Sequence, residues 1–199
     1  SINNLLNMTS VMAKLDETDA NLQKLRRMME DEKFRKNRNL QLKLFESYYY
    51  HTINYHRNRR DCVGGLKHIK EIDQGLKDFG NQVNEVGRTM LCYHVFQLSF
   101  GAKRYETALE WLQRITSHPN PEVHQEIFIF SNILQLPILY NIGNQRELRS
   151  GIRKIYAFLK GRKSRYRIES LMIVFLKKLV KLKKEEQFVT LMEKLKKDL

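Results

Sequence analysis

Residues 88–115, RTMLCYHVFQLSFGAKRYETALEWLQRI, decide the fold of this chain because they hold two amphipathic segments joined by a short polar turn. In the first segment, apolar residues recur at the spacing of one helical face: Leu91, Val95, Phe96 and Leu98. The second segment repeats that spacing: Tyr105, Ala108, Leu109, Leu112 and Ile115. The turn opens with Gly101, a residue that tolerates the positive φ common just past a helix end. The stretch therefore predicts an antiparallel helical hairpin.

The apolar pattern of the second segment recurs along the chain at a period of about 40 residues, which is typical of repeat arrays. Two forward steps carry Tyr105, Ala108, Leu112 and Ile115 first onto Gln145, Leu148, Ile152 and Ile155, and then onto Glu185, Phe188, Met192 and Leu195. A slightly longer backward step reaches Cys62, Gly65, Ile69 and Ile72. A polar turn precedes each set. The recurrence predicts hairpins that stack side by side.

This pattern resembles the tetratricopeptide repeat (TPR) family, in which an aromatic and a small residue open the second helix of each hairpin. Tyr105 and Ala108 stand at those positions, and Gly143 stands at the family's turn glycine. Lys103 replaces that glycine in the central hairpin, and Leu112 replaces a usual aromatic. The resemblance implies an all-α, right-handed superhelical solenoid of about five antiparallel hairpins. We expect it to fill residues 1–199 as a single domain.

Periodicity and turn signals also predict the other elements. A helix over 2–15, a turn over 16–19 with Thr18 and Asp19 as N-cap candidates, and a second helix from Leu22 form a first hairpin. Segments 39–57 and 61–79 form the next one, with Gly64 and Gly65 at a close crossing. The proline-rich stretch 116–122 is interpreted as a loop within the array. Further helices are expected over 123–140, 145–159, 167–182 and 185–199, with Pro137 kinking the first of these or ending it early.

Composition limits the possible classes of protein. The chain lacks an apolar run of about 18 residues that could span a membrane, and its N-terminus lacks the features of a signal peptide. It begins with Ser rather than Met, which leaves open that it is the C-terminal fragment of a longer protein. We expect Cys62 and Cys92 to be buried thiols on separate helices, as in a reduced cytoplasmic compartment.

The sequence contains no pattern that indicates catalysis. Phosphate-binding glycine loops, HExxH, GxSxG and CxxC motifs are all missing. The six histidines are scattered, and His51 and His56 are spaced off the interval that aligns two imidazoles on one helical face. We therefore predict a non-enzyme with no metal or cofactor.

Function is predicted from the resemblance and from charge. A TPR-like array implies a protein-interaction module that binds a peptide or helix in a concave groove, as part of a larger regulator or scaffold. The family's groove positions fall on Ser47, Tyr50, Asn54, Met90, Tyr93, Gln97, Phe130, Ile133, Ile173 and Lys177. Consecutive tyrosines at 48–50 cannot all face one core, so at least one ring should face a groove or solvent.

Positive charge is concentrated at the C-terminal end. Residues 144–199 carry 17 Lys and Arg against 6 Asp and Glu, a net of +11 out of +14. The densest part is an anion-binding candidate patch: Lys160, Arg162, Lys163, Arg165 and Arg167. A solubilising face explains this charge equally well. A nucleic-acid-binding helical protein is therefore the alternative function, with an anionic partner at this patch.

Overall fold

A computed structural model describes residues 15–117 and 125–161, together with eight single positions: 171, 174, 175, 178, 190, 191, 193 and 194. Every regular element within these residues is helical, which confirms the all-α prediction. The chain divides into two compact units, 1–120 and 121–199, and each is described by itself. The expected helices over 167–182 and 185–199 lie outside the described ranges.

The first unit contains seven helices in its described part, and two 3₁₀ turns flank α5. The helices are α1 (Leu15–Glu30), α2 (Glu32–Arg35), α3 (Arg38–Asn58), α4 (Cys62–Gly65), α5 (Ile69–Phe79), α6 (Glu85–Gly101) and α7 (Tyr105–Thr116). Short polar side chains begin α3, α4 and α6 by accepting a hydrogen bond from a backbone N–H of the first turn. Asn37 accepts from Leu40 at 3.0 Å, Asp61 from Gly64 at 2.9 Å, and Asn84 from Gly87 at 2.7 Å. These caps fix where the helices start.

The N-terminal part of the first unit differs from the sequence prediction. Residues 16–19, expected to form a turn, lie within α1. Asp16 and Glu17 occupy its first turn, where carboxylates are stabilised by the helix dipole. Thr18 is buried rather than capping a new helix. Acidic and hydroxyl residues are favourable both in a turn and in the first turn of a helix, so the sequence pattern does not distinguish the two.

Helix α3 and the segment 62–79 form an antiparallel hairpin, as predicted. Tyr49 on α3 donates a hydrogen bond to Glu71 on α5 at 2.5 Å, and Phe45 packs against Phe79 with ring centroids 5.3 Å apart. Gly65 lies at the predicted close crossing with α3, because a Cβ there would stand 3.1 Å from the Cβ of His56. It would also stand 2.7 Å from a methyl of Leu98, which lies on residues 85–101. The predicted single helix over 61–79 is instead broken by the 3₁₀ turn Leu66–His68.

The central hairpin, α6 and α7, also matches its prediction, but its turn uses a different residue. Gly101 is the last residue of α6, and a Cβ there would lie 2.5 Å from the Cys62 sulfur. Lys103 adopts the left-handed conformation, with φ 59°. The expected positive φ at Gly101 is therefore wrong. The glycine is required for close approach to α4, and the lysine makes the turn.

Consecutive hairpins of the first unit run in the same direction. Three contacts pair residues 40 or 41 positions apart: Glu46 with Gly87, Arg57 with Gln97, and Asp73 with Arg114. The first two join α3 to α6, and the third joins α5 to α7. The contacts advance together along α3 and α6, from Glu46 with Gly87 to Arg57 with Gln97, so these two helices are parallel. Because each hairpin is antiparallel, α5 and α7 are parallel as well, and the 85–116 hairpin repeats the placement of the 38–79 hairpin.

The recurrent apolar pattern forms the core. Helices begin at Cys62, Tyr105 and Gln145, the residues that open three of the repeats. Most of the positions that follow are buried: Gly65, Ile72, Ala108, Leu112, Ile115, Leu148, Ile152 and Ile155. The repeat that begins at Glu185 lies outside the described residues.

The described part of the second unit contains the hairpin of α8 (Gln125–Asn141) and α9 (Gln145–Gly161). Gly143 makes the turn with φ 73°. The structure shows α8 continuing four residues past Pro137, so an early end at this proline is wrong. Proline removes only the one hydrogen bond that its missing N–H would have donated, and the rest of the helix continues to Asn141. The helix therefore survives it.

Candidate functional site

Three of the residues predicted to line a groove lie in the cleft between the parallel helices α3 and α6. Ser47 and Tyr50 lie on one stripe of α3, and Met90 lies on the facing stripe of α6. Together with Glu46 and Val86 they surround an open groove of about 700 Å³. A cleft between parallel helices is the geometry in which an extended segment can lie along both.

Tyr50 is the aromatic side chain that reaches the groove. Tyr48 and Tyr49 are buried, whereas Tyr50 is 37% exposed, which confirms that one of the three rings faces outward. Its ring lies edge-on to His51 and His94, with centroids 5.2 Å away in both cases. Val86, across the cleft, is 49% exposed. An aromatic face and an aliphatic side chain thus form an apolar patch that water covers in the free protein.

Glu46 supplies an unsatisfied acceptor beside that patch. Its Oε1 is buried and has no hydrogen-bond partner. Burial raises the pKa of this carboxyl. Gly87 permits the close approach, since a Cβ there would lie 2.8 Å from the same oxygen. A buried carboxylate oxygen without a donor is costly, so a donor arriving from outside would stabilise it.

A polar cluster fills the other end of the cleft. Arg57 donates to the Gln97 side chain, and Nδ1 of His94 lies 3.4 Å from Arg57 and 3.2 Å from Gln97. Burial lowers the pKa of His94 to about 4, so its imidazole is neutral near pH 7. Its Nε2 and the Oδ1 of Asn54 are both buried without a partner. Within the described residues, no carboxylate pairs with Arg57.

The predicted groove residues of the first unit have four different environments. Ser47, Tyr50 and Met90 line the groove, Gln97 belongs to the polar cluster, and Asn54 is buried at 9% exposure. The half-buried Tyr93 packs on Phe96 with centroids 5.7 Å apart.

The remaining predicted positions belong to the second unit. Phe130 is 40% exposed and Ile133 is half-buried, both on α8. Ile173 and Lys177 lie outside the described residues.

Sequence reasoning missed Glu46, Val86, Arg57 and His94. All four share a helical face with a predicted residue: Glu46 and Arg57 lie four residues before and seven after Tyr50, and Val86 and His94 lie four residues on either side of Met90. Extending each stripe by one turn would have found them. The family pattern alone does not, because it marks one position per turn.

The anion-binding candidate patch is described at one residue only. Lys160 is exposed near the end of α9, and Arg162, Lys163, Arg165 and Arg167 lie outside the described residues. The positive charge nevertheless extends along α9 itself. Its outer side carries the exposed Arg146, Arg149, Arg153 and Lys154, opposite the buried Leu148, Ile152 and Ile155. We call Arg146, Arg149, Arg153, Lys154 and Lys160 the basic face of α9.

Both cysteines are free thiols, as predicted, but only Cys92 is buried, so the expected burial of Cys62 is wrong. Cys92 is buried, and that burial raises its pKa to about 11, so it is protonated and unreactive near pH 7. Cys62 is half-buried at the start of α4.

Three further findings bear on the class of protein. In the described ranges, no group of three or more His, Cys, Asp or Glu side chains could hold a metal ion. None of the helices described there combines the length and apolar character needed to cross a bilayer. No protein-family model matches the chain, and neither does any curated protein or solved structure with which it was compared.

Proposed function

We propose that this chain is a protein-interaction module that binds a peptide segment of another protein in the groove between α3 and α6. In this proposal the hairpins are repeats of a TPR-like, right-handed array. The parallel placement of the 38–79 and 85–116 hairpins within the first unit supports that arrangement. The free thiols fit a reduced, cytoplasmic location.

The buried, unpartnered Glu46 oxygen beside exposed apolar side chains is the observation that carries the proposal. Each feature alone is common on protein surfaces. Together they give the groove an apolar anchor and an orienting polar contact about one helical turn apart along α3. This combination favours recognition of a defined segment over general hydrophobic adhesion.

The groove chemistry specifies the segment. An aliphatic or aromatic side chain would cover Tyr50, Val86 and Met90, while a basic side chain or a backbone N–H would donate to Glu46. At the far end, Arg57 can donate hydrogen bonds to an acidic side chain of the segment. Glu46 and Arg57 lie eleven residues apart, or about 16 Å along the helix axis. An extended segment of about five residues spans that distance.

The test is a peptide selection on the full chain followed by affinity measurements with variants. Peptides selected from a random display library should combine an apolar residue with a basic one, and Tyr50→Ala should weaken them by about tenfold or more. Glu46→Gln should weaken them less and should reduce the preference for the basic residue. Val63→Ala is the matched control, because Val63 is 67% exposed and lies outside the groove.

Two outcomes would contradict the proposal. The groove is not the binding site if selected peptides tolerate Tyr50→Ala as well as they tolerate Val63→Ala. A role for the apolar patch is also excluded if the selected sequences are uniformly charged and lack an apolar residue.

The basic face of α9 supports a second candidate function, nucleic-acid binding. Arg146, Arg149 and Arg153 follow one another at intervals of three and four residues, so they form a single stripe. No ion pair within the described residues neutralises any of the three. The exposed Phe158 lies beside Lys154, one turn away, where it could stack on a base.

A further inference from the structure

A second cavity lies on the side of α3 that faces away from the groove. It is enclosed by α1, α3 and the 3₁₀ turn Leu66–His68, and its volume is about 280 Å³. The α3 residues in its wall, Tyr48, Thr52 and Tyr55, lie about 140–200° around the helix from Tyr50. The cavity is thus separate from the proposed peptide groove.

The wall of this cavity is rich in hydrogen-bond donors. Thr52 is 3% exposed, and its buried hydroxyl has no hydrogen-bond partner. The Tyr55 hydroxyl accepts a hydrogen bond from Arg59 at 2.7 Å, which leaves its own proton to donate. The imidazole of His68 closes the wall 5.6 Å from that of His56, measured between ring centroids. A buried hydroxyl left unpaired costs stability unless an acceptor reaches it.

The charges in the wall also favour an acceptor. Arg26 is already paired, with Glu71 at 2.9 Å and with Glu30 at 2.8 Å. Arg27, the next residue, has no ion pair within the described residues. Asp19 is the one carboxylate in the described lining, and it already accepts a hydrogen bond from Gln23 at 2.9 Å. Nδ1 of His56 lies 3.0 Å from the Asp61 carboxylate, so the groups still available are the Arg27 guanidinium, the hydroxyls and the His68 imidazole.

We propose that this cavity binds a small oxyanion, a phosphate or carboxylate group carried by a small molecule. Its oxygens would accept from Thr52, Tyr55 and His68 and would neutralise Arg27. An anion satisfies several donors at once, and hydrogen bonds to a charged acceptor are about twice as strong as those to a neutral one. A water molecule would satisfy the hydroxyl but would leave the Arg27 charge unmatched.

Binding should take up a proton. Burial, together with the neighbouring His56, lowers the pKa of His68 in the free protein. The titratable and charged groups that face His68 are Arg26 from α1, His56 from α3, Glu71 from α5 and Lys67 from its own segment. The Tyr48 and Tyr49 rings of α3 also pack against it, with centroids 6.4 and 6.2 Å away. An anion beside the ring favours its protonated form. Affinity for acetate, which stays ionised over this range, should therefore rise by several-fold as the pH falls from about 7.5 to about 6.

The experiment is a titration of the full chain with inorganic phosphate, and separately with acetate, against sodium chloride of equal ionic strength. Calorimetry gives the affinity, and NMR follows the Thr52 methyl and the His68 ring. Thr52→Val keeps the shape and removes the hydroxyl, so it should weaken anion binding by about tenfold. It should also leave the free protein as stable or more stable, a result that a purely structural hydroxyl would not produce.

The charge is tested by a matched pair on α1. Arg27→Gln should abolish most binding, whereas Lys24→Gln removes the same charge from an exposed residue outside the cavity and should have little effect. Response to phosphate alone assigns a phosphate ligand, and response to acetate alone assigns a carboxylate; either supports the proposal. The proposal is overturned if neither anion shifts the Thr52 and His68 signals, or if Arg27→Gln and Lys24→Gln weaken binding equally.

Discussion

At the scale of single residues, adjacent tyrosines on α3 have different environments. Tyr49 is 3% exposed, packs edge-on against Phe45 and is hydrogen-bonded to Glu71. The Glu71 carboxylate also accepts a hydrogen bond from Arg26, so one buried ring and one ion pair join α1, α3 and α5. Tyr50 has none of these links to α1 and α5. Identical residue types one position apart therefore divide between core and surface.

This difference predicts two separable mutational effects. Tyr49→Ala should lower the free energy of unfolding by about 3–5 kcal/mol, the cost of emptying a large buried aromatic site. Tyr50→Ala should cost about 1 kcal/mol or less, because the ring is partly in water already. Urea denaturation of both variants measures the two values. Equal losses would show that Tyr50 is a core residue and that the groove is misplaced.

His94 predicts the pH dependence of stability. Its pKa is about 4 in the folded protein, against 6.5 when unperturbed. Between these values the unfolded chain binds the proton and the folded chain does not, so stability falls as the pH falls. One pH unit of difference in pKa corresponds to about 1.4 kcal/mol, so His94 should account for about 3 kcal/mol of loss between about pH 7 and pH 4.

Denaturation of the His94→Gln variant across that pH range tests this expectation. Burial also lowers the pKa of His51 and of His68, so the variant should lose part of the pH dependence and keep the rest. If the pH dependence of the unfolding free energy is unchanged in the variant, folding does not lower the pKa of His94.

At the scale of elements, the turn between α6 and α7 carries a strained residue. Lys103 holds φ at 59°, a conformation that costs a side-chain-bearing residue about 1–2 kcal/mol. Lys103→Gly should therefore raise the free energy of unfolding by about 0.5–1 kcal/mol, less than the strain because glycine also loosens the unfolded chain. Lys103→Ala is the control, since it removes the charged side chain and keeps the strain. The thermal midpoints of the two variants should separate.

Helix starts and buried faces were the parts of the fold that the sequence predicted best. Cys62, Tyr105 and Gln145 open helices because a turn precedes each and an apolar stripe follows, and both signals are local. The errors arise where residue types favour two conformations. Asp16 and Thr18 are favourable both in a turn and in the first turn of a helix. The burial of Leu22 and Leu25 stabilises the helix. Glycine is favoured both just past a helix end and where two helices approach closely. Gly101 allows a close approach, because Cys62 lies against it.

The sequence placed three residues of the groove, but it did not predict the burial and hydrogen bonding of the polar side chains around them. Helical spacing and the family pattern locate Ser47, Tyr50 and Met90, since these depend on register alone. The unpartnered state of Glu46 and the burial of His94 depend on what the facing helix brings, and no local pattern contains that information. The hydrogen bonding of a polar residue on a predicted groove stripe therefore depends on which helix packs against it.

At the scale of the whole molecule, the uneven charge predicts how the second candidate function would appear. Each duplex phosphate neutralised contributes about −0.9 to the slope of log affinity against log salt. Replacing Arg146, Arg149 and Arg153 with Ala should flatten that slope by about 2 to 3 units for a nucleic-acid duplex. Fluorescence anisotropy across a salt series measures it.

The control for this experiment removes equal charge from the first unit. Lys33, Arg35 and Lys36 are exposed on and just after α2, and their replacement with Ala should leave the slope nearly unchanged. Equal flattening by both triple variants would identify a diffuse attraction of a chain with net charge +14. The basic face of α9 would then serve solubility.

The similar pairing distances in the first unit have a consequence for how the chain folds. Contacts between its described hairpins join residues about 40 positions apart, and Arg26 with Glu71 are 45 apart. Closing loops of that size costs little more entropy than closing the hairpins themselves, because the cost grows only with the logarithm of loop length. Each hairpin can therefore form first and serve as a template for its neighbour. Refolding of this unit should be fast, within milliseconds, since low contact order removes the slow search for distant partners.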